Sequence, residues 1–285
     1  MNDIVKYQND MNRLKFNGFT RTDMNIFMSL CLKVKEQGTK EIILTFSELK
    51  KMIHYEKKNN VKEFMADLKQ MNKKLMNVNC EIITDDEDIM FVLFPTFTIK
   101  RNEEMLIIAV NEKFVWLLNE MKNYTAFELE EFINLNSKYS KNLYRLLKQW
   151  RTLGKYTFYD LQEFRELMDI PQKYTNKYMM NECVAVAVKE IQKLEKSFKN
   201  LQCTPMYASK RGKPLEKLQF TWTPEKIPQP TTQEQLQGQE NFTDVQTFDE
   251  YMKAYQGEDK PSAVAIKIAQ DIEKGKKKKR KKQQK

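Results

Sequence analysis

Residues 201–222 read LQCTPMYASKRGKPLEKLQFTW. Two strand-like runs, Leu201–Ala208 and Leu215–Trp222, flank a tip at Ser209–Pro214 that holds Gly212 and three cations, Lys210, Arg211 and Lys213. This is the pattern of a β-hairpin reversing at a glycine. Immediately upstream, residues 176–198 follow helical spacing, with Met180, Val184, Val188 and Ile191 as the expected core-facing stripe. Before them come an expected helix at Asp160–Met168, a short strand at Lys155–Phe158, and helices at Ser137–Trp150 and Phe127–Leu135. Two or three helices with a short strand, closed by a hairpin, is the order of a winged helix.

The first half carries nearly the same order. Met24, Phe27, Met28, Cys31 and Val34 keep helical spacing, with Thr20 or Thr22 as cap. A strand at Glu41–Phe46 leads to Ser47, the expected N-cap of a helix at Glu48–Ile53. Val61, Phe64, Met65, Leu68, Met71 and Leu75 mark a longer amphipathic helix. Strand-like runs follow at Cys80–Thr84, Ile89–Phe94 and Met105–Val110, split by turns at Asp85–Asp88 and Lys100–Glu104. A linking helix at Asn111–Met121 presents Phe114, Leu117 and Leu118. The expected fold is therefore α+β and helix-rich, with two tandem winged helices at 1–122 and 123–223. Residues 224–285 read as a disordered acidic linker, a weak helical pattern at Ser262–Ile272 and a self-repelling run at Lys276–Lys282.

Of the 285 residues, 41% are hydrophobic and only seven are Gly, which suits helical bodies with cores rather than turn-rich sandwiches. The net charge of +10 is unevenly placed. It is −2 over 1–134, +9 over 135–223, −6 over 224–273 and +9 over 274–285. One basic island thus falls in foldable sequence, and such a surface points to a polyanion, most often nucleic acid. A solvated cationic surface is the plainer alternative. The single histidine, His54, excludes a paired-His nicking cleft, and no GxxxxGK[ST] is present for a P-loop motor. Carboxylates form no convincing divalent-metal constellation, so the expectation is a protein that is not an enzyme and needs no cofactor or metal. Four cysteines without a CxxC pair fit buried thiols in a reducing cytoplasm. No basic-then-apolar leader opens the chain, and the longest apolar run, Met105–Val110, is far below the ~18 residues of a membrane span.

Within the second module, the approach Lys173, Tyr174, Thr175, Asn176 and Lys177 offers two ammonium groups and several donors and acceptors where a recognition helix begins. Asn176 and Asn181 are the expected base readers, since Asn pairs bidentately with adenine; an ordinary helix cap is the competing role. The tip cations Lys210, Arg211 and Lys213 are expected to grip phosphate or an adjacent minor groove. Lys141, Arg145 and Lys148 share one helix face opposite Leu143 and Leu147 and are candidates for tracking backbone. In the first module, the acidic turn Asp85–Asp88 would be repelled by phosphate. That module is expected to serve protein–protein contact and to be the weaker DNA reader, with Met52, Met65, Met71 and Met76 available for adaptable packing.

Over residues 3–223 the chain resembles the iteron-binding plasmid replication initiators built of two winged helices. The resemblance lies in Ser137–Lys148 (SKYSKNLYRLLK), Ala187–Gln192 (AVKEIQ) and Lys210–Trp222 (KRGKPLEKLQFTW). It implies binding of double-stranded DNA at direct repeats of a plasmid origin and at the protein's own promoter. It further implies opening of adjacent AT-rich duplex, recruitment of the host initiator and helicase-loading proteins, and a homodimer–monomer equilibrium with dimers paired through the first winged helix. The chain departs from the family where many members have a basic start to the recognition helix: here stand Met179, Met180, Asn181 and Glu182. A sequence-specific transcription repressor without a replication role is the alternative reading.

Overall fold

β1 (Ile4–Gln8) buries Val5 and Tyr7 on one face and leads through a 3₁₀ turn, Asn9–Arg13, toward α1 (Arg21–Val34). The structure, a computed structural model, describes residues 3–226 apart from 36, 56–59, 79, 84–87, 120–123, 195 and 210–211. A capping box starts α1: the Thr20 hydroxyl accepts from the Asp23 amide at 3.2 Å, and the Asp23 carboxylate accepts from the Thr20 amide at 2.7 Å. β2 (Ile42–Thr45) runs directly into α2 (Phe46–Met52). The cap of α2 is Thr45, whose hydroxyl accepts from the Glu48 amide at 3.1 Å, and not the expected Ser47. Pairing of β2 ends at Thr45, and the Phe46 amide donates to the Glu104 carbonyl at 2.8 Å, so the chain turns helical two residues early.

α3 (Val61–Leu75) buries Phe64, Leu68, Met71 and Leu75 at helical spacing. β3 (Cys80–Ile83) and β4 (Asp88–Phe91) pair only with each other. β5 (Thr96–Lys100) and β6 (Met105–Ala109) then complete a sheet of order β2-β6-β5. Here the structure corrects the sequence reading. The strand pair equivalent to a wing is β5–β6, turned by residues 101–104, and not the pair holding the acidic turn, most of which lies outside the described residues. The expected strand at Ile89–Phe94 is shorter, ending at Phe91, and β5, whose TFTIK alternates polar and apolar residues, is a strand that was not anticipated.

α4 (Glu112–Asn119) packs Phe114, Leu117 and Leu118 inward. β7 (Tyr124–Glu128) occupies the start of the expected helix at Phe127–Leu135, because it pairs antiparallel with β1, Ile4 opposite Glu128 and Gln8 opposite Tyr124. The helical part is α5 (Leu129–Ile133), followed by α6 (Lys138–Lys148) with Ser137 as cap. α6 is buried on every side from Ser140 to Lys148. β8 (Lys155–Phe158), α7 (Leu161–Leu167), α8 (176–191), β9 (Gln202–Tyr207) and β10 (Leu215–Thr221) complete the second module. Its sheet order, β8-β10-β9, reproduces β2-β6-β5 of the first, the strand between helices lying beside the last strand of the hairpin in both. Two winged helices in tandem are therefore present.

α8 is one continuous helical run with a π-helical stretch, Met179–Val184, between α-helical ends Asn176–Tyr178 and Ala185–Ile191. Its core contacts are Met179, Cys183, Val184, Ala187 and Ile191, one step off the expected stripe at Met180 and Val188, both of which are only half-buried. Four-residue spacing rotates about 40° per step around a 3.6-residue helix. The wider π turn absorbs that drift and keeps 179, 183, 187 and 191 on the core side. Below α8, Phe158, Phe164 and Phe220 interlock with ring centroids 4.8–6.2 Å apart. Trp222 meets Phe198 edge-on at 5.4 Å and donates its indole N–H to the Arg151 carbonyl at 3.0 Å. Gly154, at φ +71, lets this end close: a Cβ there would lie 2.7 Å from Pro224 Cγ.

Candidate nucleic-acid interface

The leading end of α8 is open to solvent. Lys173, Thr175, Asn176, Lys177, Tyr178, Asn181 and Glu182 are exposed, and Tyr174 is half-buried. Thr175 is the N-cap, its hydroxyl accepting from the Tyr178 amide at 3.2 Å. Tyr174 and Tyr178 pack ring against ring, centroids 4.3 Å apart, which fixes the approach loop against the first turn. Lys173 and Lys177 therefore project from a braced segment, a geometry suited to holding phosphates.

Asn176 is already engaged. Its side-chain oxygen accepts from Arg165 Nη2 at 2.9 Å, and Arg165 is buried in the face beneath. A guanidinium only donates, so the amide orientation is fixed. Bidentate reading of adenine needs both the oxygen and the NH₂ group, and here the Asn176 oxygen is already held by Arg165, so a base would have to share or displace that bond. Its first role is to tie the start of α8 to α7. Asn181, one turn further on, keeps an exposed side chain.

At the wing, the Ala208 amide donates to the Pro214 carbonyl at 2.9 Å, and Gly212 takes φ +83, which suits a residue without Cβ. Lys213 is exposed at this tip, while Lys210 and Arg211 lie outside the described residues.

The expected outer stripe of α6 is overturned. Lys141 and Arg145 are 0% exposed and Lys148 5%. Lys141 Nζ donates to the carbonyls of Phe132 and Ile133 at the end of α5, and burial lowers its pKa to about 7. Arg145 donates to the carbonyls of Asn12 at 2.8 Å and Leu14 at 2.9 Å and lies over the Phe16 ring at 4.8 Å. Burial lowers its pKa to about 10, which leaves it charged at neutral pH. Lys148 bonds Ser197 at 2.6 Å and Glu225 at 2.8 Å. The spacing does put the three on one face, but that face points inward, where short helical turns leave carbonyls that only donors can satisfy. They clamp the 3₁₀ segment, the end of α5, Ser197 and the stretch beyond β10 at Glu225 onto α6, and none is available to a phosphate.

One cationic face was missed. On α3, Lys62, Lys69 and Lys73 are exposed together with Ala66, at i, i+7, i+11 and i+4, opposite the buried Phe64–Leu75 stripe. The signal lies in the seven- and four-residue spacing of these lysines within VKEFMADLKQMNKKL, against which the apolar stripe falls on the opposite side. Among the described residues, no group of three His, Cys, Asp or Glu is placed to hold a metal ion, and no helix is long and apolar enough to cross a membrane.

Comparison with known proteins agrees with this architecture. Residues 4–148 match the family described as Initiator Replication protein, WH1, and residues 160–222 match Initiator Rep protein, WH2. A protein of Bifidobacterium longum (strain NCC 2705) described as a probable replication protein is 32% identical over 154 residues, which cover 54% of this chain. The match spans about half of that relative's length, 52%. Among solved structures, the Pi initiator protein in complex with iteron DNA superposes with a TM-score of 0.60 at 14% identity, covering 79% of this chain and 99% of that one. At that identity the likeness speaks for the fold. With both domain models matched in order and the first alone covering half the chain, this protein belongs to the tandem winged-helix initiator replication protein family.

Proposed function

We propose that this chain is a plasmid replication initiator that binds repeated duplex sequences at its origin. α8 enters the major groove, Lys173 and Lys177 hold the flanking phosphates, and the β9–β10 tip with Lys210, Arg211 and Lys213 grips the neighbouring backbone. The observation that carries this reading is the braced, cationic and solvent-open start of α8, with the exposed Lys213 of the wing in the same module, on a chain of the initiator family. The Lys62, Lys69 and Lys73 face of α3 supports a second, parallel contact from the first module. The similar Pi initiator protein was crystallised in complex with iteron DNA, which favours the same class of ligand here.

The finer steps belong to the same proposal. The protein works in the cytoplasm by binding rather than by chemistry of its own. It promotes opening of adjacent duplex, recruits host initiator and helicase-loading proteins, and represses its own promoter as a dimer. Residues 1–122 make the dimer contact and 123–223 the main DNA contact. The exposed Ile43 (61%) on the edge strand β2 supports a pairing surface in the first module.

Two recognition helices set on successive turns of one duplex face span about 20 base pairs. Gel-shift titration against the DNA flanking the gene should therefore reveal binding to direct repeats of that size. Absence of any preferred repeat would refute the proposal. A plasmid that replicates after deletion of the gene would leave only the repressor function.

A further inference from the structure

The outward face of α8 changes character along its length. It begins with Lys177, passes through Asn181, Glu182, Ala185 and Val186, and returns to Lys189 and Lys193, all exposed. No arginine occurs anywhere from 176 to 193. Guanine is read in the major groove chiefly by Arg or Lys on O6 and N7, and the middle of this helix has neither. Glu182 would be repelled by phosphate, so this stretch lies over base edges while the lysines at either end meet the two backbones.

Val186 is the unexplained residue on that face. It is 37% exposed and on the outward-facing side, next to the exposed Ala185. Met180, Val184, Ala185 and Val188 line a groove with Cys203 of β9, whereas Val186 stands outside that lining. A β-branched side chain in an exposed helical position costs helix propensity relative to alanine. The thymine 5-methyl is the apolar group that base pairs present in the major groove, and alanine-sized and larger apolar side chains recognise it by contact.

We propose that Val186 reads thymine through its 5-methyl group, and that the repeats bound by the second module are specified at this position by methyl contact rather than by hydrogen bonds to guanine. The inference rests on the DNA-binding function proposed above.

The test uses the full-length protein and the repeat duplex from the DNA flanking its gene, made once with thymine and once with deoxyuridine throughout. Fluorescence anisotropy measures both affinities for wild type and Val186→Ala. Wild type should prefer the thymine duplex by about fourfold for each methyl buried. Val186→Ala, an exposed change to a better helix former, should bring that ratio toward one while binding the deoxyuridine duplex within about twofold of wild type. Equal wild-type affinity for both duplexes overturns the inference and leaves the initiator function standing. A ratio unchanged in Val186→Ala also overturns it, because the methyl effect would then come from duplex shape. Binding to neither duplex overturns the function and the inference together.

Discussion

Arg145→Ala separates a structural cation from a DNA-contacting one. In the folded chain, the guanidinium is fully buried and satisfies the carbonyls of Asn12 and Leu14 at 2.8 and 2.9 Å, with Asn142 Oδ1 accepting from Nε at 3.1 Å. Truncation strands these three acceptors, each at a cost of about 1–2 kcal/mol. It also removes the packing of the side chain over Phe16, for about 1 kcal/mol more. The expected loss is about 5 kcal/mol, in the range reserved for a broken buried network. In a chain of this size that lowers Tm by about 10–20 °C. Thermal unfolding followed by circular dichroism, and anisotropy on repeat DNA below the transition, read the two properties apart. Lys213→Ala should show the converse, unchanged Tm and weaker binding. An Arg145→Ala protein that melts within about 1 °C of wild type yet loses DNA affinity would refute the inward clamp.

Further outcomes follow from the same geometry. The folded pKa of Lys141, about 7, lies below its unfolded value of 10.5. The unfolded chain therefore holds the extra proton between those values, and stability should rise with pH from about 7 to about 10.5, by at most about 1.4 kcal/mol per pH unit. Lys141→Met should flatten that rise in urea titrations across this window; an identical rise in the variant would contradict the assignment. A chain ending at residue 226 should fold like the full-length protein and keep its sequence preference while losing affinity at low salt. Ending it at 223 removes Glu225 from the buried Lys148 and should cost about 3 kcal/mol in urea unfolding; equal stability of the two truncations would deny that ion pair a role. Charge reversal of Lys173 and Lys177 together should weaken binding to all duplexes and lower the log–log salt slope by about two, and an unchanged slope would remove the approach loop from the interface.

The tandem architecture was legible because each module's core rests on strong local signals. Phe64, Leu68, Met71 and Leu75 keep helical spacing, and Leu218, Phe220 and Trp222 alternate along a strand toward one buried face. What escaped were features decided by tertiary partners. β7 exists because β1, over a hundred residues earlier, is its ladder partner. The phase of α8 depends on a π turn that no spacing rule for a 3.6-residue helix contains. The inward lysines and arginine of α6 look like any charged outer face until the carbonyls of residues 12, 14, 132 and 133 are placed around them. The site was legible in part. Lys173, Lys177 and Lys213 are exposed, as candidate phosphate contacts must be, while Asn176 braces Arg165 and the exposed lysines of α3 lie on a face the sequence reading did not name.

The central claim is that this chain selects repeated duplex DNA through its second winged helix. Its most direct test is hydroxyl-radical footprinting of the full-length protein on the DNA flanking its gene, at physiological salt, beside a duplex of the same composition in shuffled order. Protection should repeat with the direct repeats, survive the shuffled competitor and vanish when Lys173 and Lys177 are reversed in charge. Protection spread evenly over both duplexes would contradict it.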